Sequence, residues 1–397
     1  MKGGGVLRSF FKKRSKLSFI YPTDGDCVTP KECQKVGAGV LIKAKVQAPK
    51  GHDIYVGANM ATWDGEFYQA SVIVYGFKNT LRAYDATAKR SCMITVCYLD
   101  RAQNKYRLFT DDNILFLADI NANKDVYTSI FDNEYLSIYK EAHDKFGAKV
   151  HINLFYEFGE TSAKKFSTER PYFNLSMMTD KFRDEFDANS DWLKLAFHSN
   201  SDAPTNPYAE ASASEISGDC IKVNKEIVRF AGPNVLSDCT TIHFALTTEE
   251  GTRALRTLGY RSLEGDFVDD EKYPCSYHYS RDKLLHVMNR DFFYDTDIDM
   301  FFCRTDVVLN SKKLDFNMKK LEELINDPTQ GGFIGILMHE QYYYEDYKHH
   351  LPDFKNRILK PCEFLYENGY KGSFISEILD ERHVNEFWYD TVTNINI

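Results

Sequence analysis

The sequence predicts an α/β fold, a barrel or barrel-like sheet, preceded by a smaller all-β sandwich domain of immunoglobulin-like size. Three observations support this expectation. The 397 residues are enough for two domains. Apolar and polar residues alternate between residues 18 and about 98, and no segment of helical period interrupts them. Beyond residue 106, strands alternate with helices, which indicates parallel strands joined by crossover helices.

These changes of pattern set the expected domain boundaries. We place a basic N-terminal arm at residues 1–17, the sandwich at 18–105 and the barrel domain at 106–397. The arm carries several lysines and arginines but no continuous apolar region, so we do not expect it to be a signal peptide. No other stretch of the sequence is long and apolar enough to span a membrane.

Charge and cysteine content narrow the range of partners and locations. The net charge is -9, from 49 basic and 58 acidic residues, so we expect no nucleic-acid partner. The nine cysteines include no C-x-x-C pair, which favours reduced thiols and argues against a cysteine-ligated zinc site. Together with the missing signal peptide, this predicts a cytoplasmic location.

The elements of the sandwich follow from a period of two. Apolar residues at 40, 42, 44 and 46 predict one strand, and similar runs at 68–74 and 93–99 predict two more. In the barrel domain, helical periods and capping residues predict the helices. The expected elements there are a helix over 135–146 capped by Asp132 and ended by Gly147, a strand over 150–154, a helix from the capping box Ser212–Glu215 to Gly232, a strand over 240–246, a helix ended by Gly259, a helix over 318–325, a strand over 333–338, a helix over 354–366 and a strand over 374–378.

Residues capable of chemistry follow several of the predicted strands. In parallel α/β folds the functional groups gather at the carboxyl ends of the strands. Taken singly, each of these residues has an ordinary structural explanation, as a helix cap or a buried histidine, but together they indicate a site at the mouth of a barrel. The strand-end residues are Asp111 and Asp112, then His198 with Asp202 four residues later, then His243, and finally His339 with Glu340.

These residue types suit one kind of reaction. Imidazole and carboxylate groups hold a divalent metal while leaving positions open for water. Water bound there becomes a nucleophile near neutral pH, and the metal polarises a carbonyl oxygen. A further carboxylate can accept the proton of the water, and a further histidine can protonate the leaving group.

At this point the sequence resembles the polysaccharide deacetylases, the NodB-homology family of carbohydrate esterases, from about residue 107 to 378. Thr110-Asp111-Asp112-Asn113 is similar to the family motif T-F-D-D-G. The segment from His198 to Asp202 is similar to H-[ST]-x-x-H, and Leu337-Met338-His339 is similar to the late L-x-H motif. The phrases around residues 190–198 and 339–342 resemble a divergent bacterial branch of this superfamily.

The resemblance implies a distorted (β/α) barrel and a role for each matching residue. Asp111 would be the catalytic base and His339 the general acid. The metal ligands would be Asp112, His198 and Asp202, with zinc as the expected ion and cobalt, manganese or nickel as alternatives. His243, Glu340 and Tyr342 would contact a carbohydrate substrate, because they lie beside these motifs and Tyr342 can form a wall of a sugar cleft.

The sequence departs from the family pattern at four places. Asp202 stands where the family has histidine, and Asn113 stands where it has glycine. The arginine–proline motif is not recognisable; His243 lies at its expected position and would either replace the arginine that orients the base or be structural. The segment between Asp112 and His198 is longer than usual, with an expected insertion around 158–191.

Three functions are compatible with these residues. The first is a metal-dependent hydrolase that removes an acyl group, N-acetyl above all, from an amino sugar or polysaccharide. The second is a non-catalytic carbohydrate-binding or interaction protein on a degenerate deacetylase scaffold. The third is a glycosidase that uses two facing carboxylates without a metal, such as Asp111 and Glu340.

Overall fold

The computed structural model describes residues 17–269 and 275–379. The chain divides into two compact units, one comprising residues 1–28 and 33–98 and the other comprising 29–32 and 99–397. The predicted basic arm lies outside the described residues except for Leu17, and so do the last eighteen residues of the expected barrel domain. Within the described part of the chain, no helix combines the length and apolarity needed to cross a bilayer.

The first unit consists of short strands. They are β1 Ser18–Tyr21, β2 Asp26–Val28, β3 Gln34–Val36, β4 Gly39–Gln47, β5 Ile54–Val56, β6 Asn59–Met60, β7 Thr62–Trp63, β8 Tyr68–Tyr75, β9 Lys78–Asp85 and β10 Arg90–Tyr98.

These strands form two layers over one core. In the first layer β1, β4, β8 and β7 pair antiparallel in that order. Strand β3 pairs with the start of β4, on the edge of β4 that faces away from β8. In the second, β10 pairs antiparallel with β9 and parallel with β2, while β5 joins β9 to β6. Val40 lies opposite Val74 and Ile42 opposite Val72, and all four are buried because their positions alternate inward along each strand.

The second unit alternates strands and helices. Its strands are β11 Lys105–Asn113, β12 Val150–Phe155, β13 Glu157–Phe158, β14 Phe173–Asn174, β15 Leu193–Ser199, β16 Cys239–Thr240, β17 Ser262–Gly265, β18 Phe292–Asp295, β19 Met300–Arg304, β20 Val307–Val308, β21 Phe333–His339 and β22 Lys371–Gly372. Its helices are α1 Leu115–Ala122, α2 Glu134–Phe146, α3 Glu160–Phe166, α4 Arg183–Ala188, α5 Ala213–Ala231, α6 Glu249–Leu258, α7 Arg281–Val287, α8 Leu314–Ile325 and α9 Phe354–Glu367.

Two largely parallel groups of strands form the centre of this unit. Strands β15, β12, β11, β21 and β20 pair in parallel in that order, and β16, β17 and β19 form a second parallel group that β18 extends antiparallel. The ladders of the described residues do not close a barrel. A backbone hydrogen bond from Ser237 to Leu195 at 2.9 Å links the groups on one side. On the other side, the bond from Thr305 to Gly265 at 2.7 Å continues the pairing of β19 with β17, and the next residue contacts the first group.

The bond between Thr305 and Gly265 lies next to the start of β20, at the far edge of the five-stranded group. There the chain passes so close to β21 that the backbone N–H of Asp306 donates a hydrogen bond to the carbonyl oxygen of Gly335. A Cβ atom at Gly335 would stand 2.8 Å from the carbonyl oxygen of Arg304, so this approach requires glycine.

Most predicted elements of the second unit occur where local periodicity placed them. The capping box of Ser212 and Glu215 begins α5, and Gly147 and Gly259 end α2 and α6 in the left-handed conformation. The cap of α2 was predicted wrongly: Asn133 accepts the amide of Leu136, and Asp132 belongs to the preceding 3₁₀ turn.

Two predicted strands are wrong. The expected strand over 240–246 stops at Thr240, because Phe244 and Ala245 take positive φ angles of 61° and 48° and residues 243–245 form a 3₁₀ turn. The expected strand over 374–378 is a 3₁₀ turn over Ile375–Glu377, and the pairing segment is the shorter β22 before it. Both segments contain buried apolar residues, such as Ile242 and Ile375, without a strict alternation of buried and exposed positions, and this produced both errors.

Candidate metal centre and active site

Strand ends bring the candidate residues together on one side of the parallel strands. Asp111 and Asp112 end β11, and His339 ends β21, the neighbouring strand, where it lies opposite Asp111 in the register. His198 lies near the end of β15. Asp112 takes a positive φ of 63°, and the pairing of β11 with β12 is irregular between Thr110 and Asn113, so Asp111 and Asp112 lie at a distortion just before the strand ends.

Asp112, His198 and His243 form a buried cluster. Each offers one ligand atom, and these three atoms lie within 4.8 Å of one another. The Oδ1 atom of Asp112 is 3.3 Å from Nε2 of His198 and 3.3 Å from Nδ1 of His243. The two ring nitrogens are 3.1 Å apart. One carboxylate and two imidazoles thus converge on a single point.

A backbone carbonyl fixes the protonation pattern of His198. Its Nδ1 atom lies 2.5 Å from the carbonyl oxygen of Thr241, which can only accept a hydrogen bond, so Nδ1 carries the proton. The Nε2 atom therefore presents a lone pair to the cluster when the ring is neutral. Histidine ligands of metals are held in this way by a partner on the other ring nitrogen.

His243 enters the cluster because the chain leaves the extended conformation after β16. The 3₁₀ turn over residues 243–245 turns the ring so that Nδ1 faces the cluster and Nε2 faces Asp202, whose Oδ1 atom is 3.4 Å away. Burial lowers the pKa of His243, but the carboxylates of Asp112 and Asp202 outweigh it and raise the pKa to about 9.

Asp202 is not a member of the three-residue cluster, contrary to the ligand set that the family resemblance implied. Its carboxylate lies beyond the ring of His243 and pairs through Oδ2 with Nζ of Lys165 at 2.7 Å. Lys165 belongs to α3, within the segment predicted as an insertion. His243, which follows a different strand, is the third residue of the cluster.

Gln341 holds the other oxygen of Asp112. Its Nε2 atom donates to Oδ2 of Asp112 at 2.8 Å, which directs Oδ1 toward the two histidines. Burial raises the pKa of Asp112, but the imidazoles of His198 and His243 outweigh it and hold the pKa well below its ordinary value. Asp112 is therefore ionised near neutral pH, as a metal ligand must be.

An asparagine holds Asp111. The Nδ2 atom of Asn153 donates to Oδ1 of Asp111 at 2.6 Å, and Oδ1 of Asn153 accepts a hydrogen bond from the hydroxyl of Thr240 at 3.2 Å. Asn153 lies in the fully buried strand β12, beside β11. The orienting partner of Asp111 is thus a neutral amide, not the arginine of the family pattern.

His339 lines the same cavity as Lys165 and Phe166 of α3. Its Nδ1 atom is 2.9 Å from Oδ1 of Asn310, the second residue after β20. The cavity has a volume of about 480 Å³. His339 and Asp111 both line it, so the two residues expected to transfer protons face one space.

Glu340 does not contact this cavity, contrary to the prediction that it binds substrate. Its carboxylate accepts the backbone N–H groups of Ile114, Leu115 and Phe116 at 2.6, 2.9 and 2.5 Å, and the hydroxyl of Tyr344 at 2.8 Å. It is fully buried and caps the start of α1. The glycosidase hypothesis that paired Asp111 with Glu340 is therefore wrong for this pair, because Glu340 faces no cleft.

The outer wall of the cavity is aromatic and basic. Tyr342 lines it, and the centroid of its ring is 5.2 Å from that of Tyr347. The ring of Phe166, at the end of α3, packs against Tyr347 at 5.4 Å. Lys348 stands on the exposed part of this wall. The predicted insertion thus supplies one side of the cavity.

The cluster fits a divalent metal on the chemistry of its donors. Oδ1 of Asp112 is buried, and neither of its 3.3 Å contacts makes a hydrogen bond, so this oxygen lacks a partner among the described residues. A buried carboxylate oxygen without a partner is costly. A cation between Asp112, His198 and His243 would satisfy it. Two nitrogen donors and one oxygen donor suit zinc and other first-row transition metals.

Asn153, Asn310 and Gln341 were missed by the sequence analysis. The signal for Asn153 was a polar residue inside an otherwise apolar strand, Val150–Phe155. Asn310 and Gln341 lie in turns, where asparagine and glutamine are ordinary, so no local signal distinguished them.

Comparison with known proteins gives no family assignment. No protein-family model matches the sequence, and no curated protein matches it. A solved structure from Bacteroides fragilis NCTC 9343, to which an alpha-galactosidase activity is ascribed, shares 8% identity with this chain. The alignment covers 86% of this chain and 77% of that one with a TM-score of 0.26. A similarity at this level carries no argument about fold or function.

Proposed function

We propose that this protein is a metal-dependent hydrolase that removes an acyl group, N-acetyl above all, from an amino sugar or polysaccharide. One observation carries the proposal: Asp112, His198 and His243 converge within 4.8 Å at a cavity that Asp111 and His339 also line. This combination of a metal-ligand cluster, a carboxylate and a separate histidine is the set that the resemblance to polysaccharide deacetylases implies, with His243 in place of Asp202.

Asp112, His198 and His243 would hold the metal, and we propose zinc. A bound divalent cation supplies an activated water at neutral pH and polarises the carbonyl oxygen of the acyl group. Each of these three residues also contacts a further group of the protein, which orients it toward the metal position. Thr241 fixes the tautomer of His198, Gln341 directs Asp112, and the carboxylate of Asp202 lies 3.4 Å from Nε2 of His243.

Asp111 would act as the general base. Its carboxylate lines the cavity next to the cluster, and Asn153 occupies one of its oxygens, leaving the other to take a proton from the attacking water. The oxygen–carbon bond to the acyl carbon then forms as Asp111 becomes protonated.

His339 would act as the general acid. It donates a proton to the nitrogen of the amino sugar as the bond between that nitrogen and the acyl carbon breaks. The products are a carboxylic acid, acetic acid for an N-acetyl group, and the free amine. Asp111 and His339 lie opposite each other on adjacent strands and both line the cavity, which supports a single substrate position between the proposed base and acid.

The cavity supports a saccharide as the substrate class. A volume of about 480 Å³ accommodates a small ligand, and its outer wall carries the rings of Tyr342 and Tyr347. Tyrosine rings offer an apolar face to sugar C–H groups and a hydroxyl to sugar oxygens.

Elemental analysis and acetate release test the proposal together. Purified protein should carry near-stoichiometric zinc or another transition metal, and the Asp112→Ala, His198→Ala double variant should lose it. N-acetylated chito-oligosaccharides, incubated with the metal-loaded protein, should release acetate. His349→Gln, which alters a cavity residue outside the cluster, should retain the metal.

Each negative result has a separate meaning. Wild-type protein that binds no zinc, cobalt, manganese or nickel would exclude the metal centre. Protein that binds metal and saccharide but releases no acid from any acylated sugar would leave carbohydrate binding as the function.

A further inference from the structure

We propose that Asn310 is a positioning residue for His339, which it holds with Nδ1 protonated so that proton exchange with the cavity occurs only at Nε2. The inference adds a positioning residue to the proposed function. It rests on that function only for the identity of the group that accepts the proton from His339. The predicted tautomer rests on geometry alone.

The ends of two adjacent strands place Asn310 beside His339. Strand β20 pairs in parallel with β21, and the N–H of Leu309 continues this pairing by donating to the carbonyl of Leu337 at 2.7 Å. Asn310 follows directly, half-buried, with its side chain toward the end of β21.

Two contacts determine the orientation of the Asn310 amide. The backbone N–H of His339 lies 3.2 Å from one terminal atom of this side chain, and Nδ1 of His339 lies 2.9 Å from the same atom. A backbone N–H can only donate, so the shared atom is the oxygen. An amide oxygen can only accept, so Nδ1 of His339 must carry a proton.

This assignment leaves Nε2 as the nitrogen that gains and loses a proton. A neutral histidine side chain in water favours the opposite form, with the proton on Nε2, so Asn310 reverses the usual preference. Because His339 lines the cavity, the proton that leaves Nε2 reaches the substrate position and not the protein interior.

The neutrality of Asn310 has a chemical consequence. Several carboxylates already face His339 from neighbouring elements: Asp111 at the same level of β11, Asp112 next to it, and Asp266 after β17. A carboxylate at position 310 would add a further negative charge beside the ring, whereas an amide fixes the tautomer without adding charge.

Nitrogen NMR of histidine side chains tests the tautomer without any assay of activity. Wild-type protein, uniformly labelled with ¹⁵N, should show His339 protonated at Nδ1 when the ring is neutral, with the resonance assigned by its absence from His339→Gln. Asn310→Leu removes the acceptor and should shift the neutral ring to the Nε2-protonated form. A wild-type His339 with its proton on Nε2 would overturn the proposal.

Kinetics with the acylated saccharide test the positioning role. Asn310→Leu should lower kcat by about 10- to 100-fold with KM changed less than about threefold, as for other groups that orient a functional histidine. Asn310→Asp keeps an acceptor, so it should retain the Nδ1-protonated tautomer and move the pH limb assigned to His339 to higher pH. Ser311→Ala, which loses only a bond to the carbonyl of Val308, is the matched control and should be unchanged.

The two tests separate this proposal from the proposed function. Absence of acetate release from wild-type protein, with the predicted tautomer present, would reject the deacetylase and leave the positioning of His339 intact. Normal kcat in Asn310→Leu, or an unshifted pH profile in Asn310→Asp, would reject the positioning role even if the enzyme is a deacetylase. Should Asn310→Leu fail to fold, the wild-type spectrum and Asn310→Asp still decide the question.

Discussion

His243 presents Nε2 to Oδ1 of Asp202 at 3.4 Å, while its other ring nitrogen faces Asp112 and His198. The sequence placed Asp202 among the metal ligands, at the position where the family motif has histidine. In the structure the aspartate contacts the far side of a histidine that comes from another strand end. Asp202 therefore contacts one of the three candidate ligands and is not itself one of them.

Substitutions at these two positions should affect metal binding to different degrees. His243→Gln removes a ligand atom and should weaken zinc binding by more than about 100-fold, whereas Asp202→Asn removes an orienting partner and should weaken it by about 10- to 100-fold. Calorimetric titration with zinc would measure both. Equal losses, or a larger loss in Asp202→Asn, would return Asp202 to the ligand set. His349→Gln is the control for a cavity histidine outside the cluster.

Asp111 and Asn153 should affect turnover without affecting metal content. Asp111→Asn removes the proton acceptor and should lower kcat by at least about 100-fold with stoichiometric zinc retained. Asn153→Ala leaves Asp111 in place but unoriented, so we expect a loss of about tenfold or more in kcat and little change in KM. Acetate release and elemental analysis on the same samples give both quantities. Unchanged turnover in Asp111→Asn would exclude it as the base.

Tyr342 should contribute to saccharide affinity and not to chemistry. Tyr342→Ala removes a ring from the cavity wall and should raise KM about fivefold, since ring contacts contribute about 1 kcal/mol. Tyr342→Phe keeps the ring and should stay close to wild type. Tyr366→Ala, an exposed tyrosine on α9, is the control. A KM in Tyr342→Ala equal to that of wild type would remove this residue from the substrate site.

Glu340 should make stability depend on pH. Burial raises its pKa from 4.5 to about 7, although Ile114, Leu115 and Phe116 donate hydrogen bonds that lower it. A raised pKa in the folded state means that the stabilisation is complete below pH 4.5 and is lost as the pH rises through about 7. The difference in free energy of unfolding between wild type and Glu340→Gln should therefore fall by up to about 1.4 kcal/mol per pH unit in this window.

Urea unfolding at several values between about pH 5 and 8 would measure this difference. Glu345→Gln, at an exposed position five residues further along the chain, should not change the pH dependence. Parallel stability curves for wild type and Glu340→Gln would show that Glu340 does not titrate in this range.

The sequence by itself determined the elements that local patterns encode. Alternation placed β4 and β8, and capping residues placed the start of α5 and the ends of α2 and α6. Asp111, Asp112, His198 and His339 were found because the end of an apolar strand is visible in the sequence, and parallel strands bring such ends to one side.

Only the tertiary structure decided which of these residues face one another. The left-handed conformations of Phe244 and Ala245 turn His243 into the cluster, and no pattern of apolar residues encodes that turn. His339 and Glu340 are neighbours in sequence, yet one faces the cavity and the other caps α1, because consecutive residues at a strand end point to opposite sides. The geometry of the candidate site depends on the directions in which these side chains point, and the packing of segments distant in sequence sets those directions.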